Sequence, residues 1–119
     1  MTTPVVTLDA IEAVLPKLDR KRKNPMHNGG CLYTSTRNPK HHCIVGQIWN
    51  ELGLPVPGPE VQNDVYRAAQ LSGTLALHSP EAITALDRLQ YRADDLSASG
   101  RSWAGAIDAW PSIRRTVEQ

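Results

Sequence analysis

Five side chains able to hold a metal or act as nucleophile and base crowd into one stretch of this chain: His27, Cys31, His41, His42 and Cys43. Thiolate and imidazole suit tetrahedral zinc. The spacing, His-x3-Cys-x9-His-His-Cys, lacks the closely spaced Cys or His pair from which zinc knuckles are usually built. The expectation is therefore no metal and no cofactor. His27, Cys31, His42 and Cys43 are the residues that would ligate zinc if a hairpin over 31–43 brought the two sulfurs together.

A reactive thiol is the second chemistry. Cys43 at the first turn of a following helix would have its pKa lowered by the positive helix end and by His41 or His42. A nucleophile also needs a base and an orienting group. His78 and Asp94 are the residue types for those roles, but no spacing rule joins them to Cys43. The chain has no P-loop, no Gly-x-Gly-x-x-Gly and no His-Glu-x-x-His,. Asp94 and Asp95 are adjacent, so on a helix their side chains diverge by about 100°. No catalytic residues are assigned. The two cysteines are expected to be free thiols in a reducing cytosol, packed as small hydrophobes.

The third chemistry is charge. Residues 17–42 carry Lys17, Arg20, Lys21, Arg22, Lys23, Arg37 and Lys40 against Asp19 alone, net +6. The other residues hold six basic and eleven acidic side chains, net −5. Such a split can mark an anionic partner, and Tyr33 is available for base stacking. Near-neutral overall charge and the lack of a known nucleic-acid module weigh against that reading. Trp103 and Trp110, spaced i, i+7, are expected on one helix face. Trp103 belongs in the core, and Trp110, beside Pro111, is the more exposed and the candidate partner anchor.

These residues must be positioned by helices. The chain has 119 residues, 40% hydrophobic and 21% charged, which suits one globular domain over 1–119,. With no Phe and few aromatics, its core is built mainly from Leu, Ile, Val and Ala. Thr7 reads as an N-cap for Leu8, Ile11, Leu15 and Leu18, with a break before Pro16. Residues 31–36 alternate like a strand, and His41-His42-Cys43 is a return strand or the entry to a helix. Ile44, Val45, Ile48, Trp49 and Leu52 form an apolar stripe ended by Gly53. A third helix runs from near Glu60 or Asn63 to Leu71. Ser79-Pro80-Glu81 opens a fourth that buries Ile83, Leu86, Leu89, Ala93 and Leu96 and stops near Gly100. Ser102 caps a fifth, which Pro111 ends. Residues 1–7 and 112–119 are open to fraying, although the latter could add a turn or two. The expected fold is all-α or α-dominated: four to five short helices with a small hairpin near 31–43.

Cys31-Leu32-Tyr33, then His42-Cys43-Ile44-Val45-Gly46 and Leu52-Gly53, resemble a pattern in small uncharacterised proteins of actinobacteria and their phages. Leu89-Gln90, Ala93-Asp94, Gly100, Trp103 and Ala106 resemble the ending of that pattern, with a longer gap before the glycine. The resemblance spans about residues 31–106. It implies a phage or actinobacterial origin and an intracellular setting, and it transfers no activity.

No apolar run is long enough to span a bilayer. The N-terminal charges follow the apolar residues, the reverse of a secretory signal, so a cytoplasmic location is expected, the host cytoplasm for a phage protein. The leading expectation is a non-enzymatic phage protein that binds a host protein. The alternative is a nucleic-acid-binding accessory protein using the basic 17–42 segment, and the third is a zinc-binding domain.

Overall fold

Thr7 opens the first helix. Its hydroxyl accepts from the Ala10 N–H (3.1 Å) and caps α1, Leu8–Val14. Pro16 cannot donate to a helix ladder, and the chain tightens there into a 3-10 turn, Leu15–Lys17,. The computed structural model describes residues 4–24, 26–27, 30–31, 43–55 and 64–119. Within them follow α2 (Ile44–Glu51), α3 (Val65–Leu71), a second 3-10 turn (Leu75–Leu77), α4 (Pro80–Ala98), α5 (Ala104–Asp108) and α6 (Trp110–Glu118). The fold is helical, as the periodicity predicts.

The longest helix, α4, is the hub: α1, α2, α3, α5 and α6 all pack on it. Ser79 caps it through the Ala82 N–H, with Pro80 at the first helical position. Its inward face is lined by Ala82, Ala85, Leu86, Leu89 and Ala93. The small residues let neighbours approach closely, while Ile83 and Leu96 are only partly buried. Against this face lie Ile11, Ile44, Ile48, Trp49, Val65 and Trp103, all fully buried. Each such side chain contributes about 1.5–3 kcal/mol of hydrophobic stabilisation. Gly53 (φ 76°) and Gly100 (φ 79°) sit just past α2 and α4 in the left-handed conformation that favours glycine,.

Several expectations need correction. The hairpin near 31–43 is not borne out. The strand pairing present is a two-residue contact between Met26–His27 and Gly30–Cys31, and residues 32–42 lie outside the described ones. Pro111 does not end a helix; it opens α6, because the first turn needs no N–H from it,. Trp103 and Trp110 therefore lie on different elements. Trp110 is buried, at 4% exposure, and its Nε1 donates to Glu12 Oε1 at 2.9 Å. Arg114 of α6 fixes the same junction through Asp9 (2.6 Å), Glu12 (3.3 Å) and Glu118 (2.6 Å), and these carboxylates raise its pKa further. Of the two alternatives for residues 112–119, the structure takes the helical one. The N-terminal segment is pinned as well: Val5 and Val6 N–H donate to the Leu77 carbonyl, and the Ser79 N–H donates to the Val6 carbonyl.

Candidate functional site

The chemistry expected around Cys43 is closed off by its covalent state. Cys43 is fully buried and disulfide-bonded, not a free thiol; the chain's only other cysteine is Cys31. A bridged sulfur is neither a nucleophile nor a zinc thiolate. The side chains of His27, Cys31, His41 and His42 lie outside the described residues. Among the described residues, no three His, Cys, Asp or Glu side chains converge as a metal site would require.

His78 and Asp94 have other partners. The Trp49 indole, which can only donate, gives its Nε1–H to His78 Nε2 at 2.9 Å,. His78 Nδ1 must therefore carry the proton, which it donates to the Thr74 carbonyl at 2.9 Å. Burial lowers the His78 pKa, and its hydrogen bonds to the Thr74 and Leu75 backbone offset part of that.

Asp94 belongs to a junction built on Asn24, which is buried at 4% exposure. Asn24 Oδ1 accepts from the Ile44 N–H (2.9 Å) and from Trp103 Nε1–H (2.7 Å). Its Nδ2 donates to Asp94 Oδ1 at 2.7 Å, and its backbone N–H donates to Ser97 Oγ at 2.9 Å. One amide thus joins α2, α4 and the turn before α5. Cys43, at the N-cap position of α2, makes no side-chain cap. Asn24 supplies that acceptor from a distant part of the chain, and buried Gln90 Oε1 takes the next orphan N–H, from Val45, at 3.3 Å,. Burial pushes the Asp94 carboxyl up, and the Asn24 donor pulls it partly back.

The basic run divides into two sets. The Arg20 and Arg22 carbonyls accept the Ala104 and Trp103 backbone N–H groups, at 3.1 and 2.7 Å. This attachment brings both arginines onto the body of the fold. Arg20 forms a two-pronged pair with Asp108, both contacts 2.9 Å. Arg22 lies 4.5 Å from the Trp103 ring centre and donates to Gln47 Oε1 at 3.1 Å. Its pKa is lowered by burial, an effect Asp19 partly offsets. Lys21 and Lys23 are exposed and line an open cleft of about 560 Å³ with Arg101, Ser102 and Leu96. Lys17 is exposed at the end of the first 3-10 turn. Arg37 and Lys40 lie outside the described residues.

A second surface feature is on α4. Tyr91 is 77% exposed and borders a cavity of about 350 Å³ with Asp87, Arg88, Arg92, Asp95 and Ile113. Sequence reading missed Asn24, Gln90, Arg101 and Tyr91. Asn24 reads as loop punctuation beside Pro25, and no local pattern pairs it with residues 70 to 79 positions away. Tyr91 does carry a signal, since it falls outside the apolar stripe of α4.

No family model, curated protein or solved structure matches the chain.

Proposed function

We propose that this is a non-enzymatic binding protein, encoded by an actinobacterial phage, that engages a host protein through the Tyr91 face of α4. The observation that supports the reading is Tyr91 itself: a large aromatic side chain, 77% exposed, with Arg88 and Arg92 on its own helix and Ile113 in the adjoining cavity. Tyrosine and arginine are over-represented among residues that dominate binding energy, and an aromatic centre with a polar rim is the usual anatomy of an interface. The titratable groups weighed as catalytic, His78 and Asp94, are spent on holding the fold. The setting in this reading is the host cytoplasm. There the Cys43 bridge would persist because burial shields it from attacking thiols.

The test is affinity capture from host lysate followed by mass spectrometry. The wild-type protein should retain one partner in stoichiometric amount. Tyr91→Ala and Arg88→Ala should lose it while unfolding at the wild-type midpoint. Equal recovery of that partner by Tyr91→Ala overturns the reading.

A further inference from the structure

We propose that the cleft between Lys21, Lys23 and Arg101 binds the phosphodiester backbone of duplex DNA, at a surface separate from the Tyr91 face. Three cations from two distant parts of the chain line one open cleft, and among the described residues no acidic side chain lines it. No carboxylate among the described residues pairs with any of the three. The other basic side chains of the 20–23 run have partners: Arg20 pairs with Asp108 at the surface, and Arg22 lies on Trp103 and donates to Gln47. Asp19, the acid of that run, directs a carboxylate oxygen to the Lys21 backbone N–H at 3.0 Å. The positive potential of the two lysines and Arg101 is therefore left to solvent.

The rest of the lining says which anion fits. Gly100, Ser102, Ala104 and Gly105 carry small side chains and leave the floor of the cleft low enough for a backbone to approach. A Cβ at Gly105 would meet Leu96 Cδ1 at 2.7 Å, so a larger residue there would have to move the end of the Leu96 side chain. Among the described residues no aromatic lines the cleft, and these residues offer no platform for an unstacked base,. The two lysine ammonium groups match phosphates as point charges, the Arg101 guanidinium can grip one with its planar fork, and such backbone contacts read no sequence,. The ligand chemistry is thus a row of phosphates on an intact duplex.

Neutralising three phosphates predicts that log affinity falls against log salt with a slope of about −2.7. That is about a 40-fold loss between roughly 50 and 200 mM salt. Titration of fluorescent duplex DNA with the full chain across that range reads the slope directly. Lys21→Gln, Lys23→Gln and Arg101→Gln should each reduce it by about one. Arg115→Gln, an exposed cation on α6, should leave it unchanged. The three cleft side chains are exposed and have no ion-pair partner among the described residues, so the variants should keep the wild-type unfolding midpoint, which is measured in parallel. Poly-glutamate and phosphatidylglycerol vesicles are titrated alongside. Absence of DNA binding at low salt, or a slope left unchanged by all three substitutions, overturns the proposal. So does binding of either competitor as tight as that of DNA with the same sensitivity to the three variants.

Discussion

Replacing Asn24 by alanine withdraws three side-chain hydrogen bonds at once, to Ile44, Trp103 and Asp94. The Ile44 N–H and the Trp103 indole N–H lose their common acceptor in the interior. Each orphaned buried group costs about 1–3 kcal/mol. The Asp94 carboxyl, already disfavoured by burial, also loses a donor. The expected destabilisation is about 3 kcal/mol or more, near the upper end for single substitutions. In a domain of this size it lowers the melting temperature by roughly 12 °C. Asn24→Asp is the sharper test. It keeps an oxygen for Ile44 and Trp103 but sets a second oxygen where Nδ2 now lies, 2.7 Å from Asp94 Oδ1. Two carboxylates that close cannot both ionise cheaply, so the pair shares a proton and its folded pKa is raised. The folded variant then binds a proton that the unfolded chain releases. Its deficit relative to wild type should be largest near pH 7 and shrink as pH falls toward the unfolded carboxylate value of about 4. Urea unfolding followed by tryptophan fluorescence and far-UV circular dichroism measures both variants. Asn24→Ala within about 0.5 kcal/mol of wild type would refute the junction's role. So would an Asn24→Asp deficit that does not change with pH.

Other consequences are as direct. The His78 pKa is lowered on folding, so its neutral form contributes stability that is complete above the unfolded value of about 6.5 and is lost as pH falls toward the folded pKa,. Urea midpoints of the wild type should drop across that window, and His78→Gln should lose that step; identical pH profiles would contradict the Trp49–His78 pairing. Thiol titration in denaturant should find no free cysteine before reduction and two after. A disulfide constrains the unfolded chain, typically by about 2–4 kcal/mol, so reduction should lower the unfolding free energy by about that amount,. Two titratable thiols in freshly isolated, unreduced protein would contradict the bridge.

The helices could be read from local pattern because local forces make them. Thr7, Ser79-Pro80, Gly53 and Gly100 act on the turn they belong to, and the apolar stripes of α2 and α4 follow from a period of 3.6 residues,. Pro111 marks where local reading fails: the same ring that ends one helix starts the next, and packing of Trp110 against α1 decides between them. The site depends still more on long-range placement. Net charge identifies residues 17–42 as basic, but backbone hydrogen bonds from Trp103 and Ala104 fasten residues 20–22 to the fold, where Arg20 meets Asp108 and Arg22 meets Trp103, while Lys21 and Lys23 line a cleft with Arg101. The segment from Cys31 to Cys43 looked reactive because its residue types are reactive; burial and a covalent bond to sulfur make Cys43 inert. Residue type and spacing therefore reported the helices and the charge excess. Which charges remain unpaired, and which polar groups are consumed by the fold, was decided mainly by contacts between residues distant in sequence, from Trp49 with His78 to Asn24 with Trp103, which no sequence period encodes.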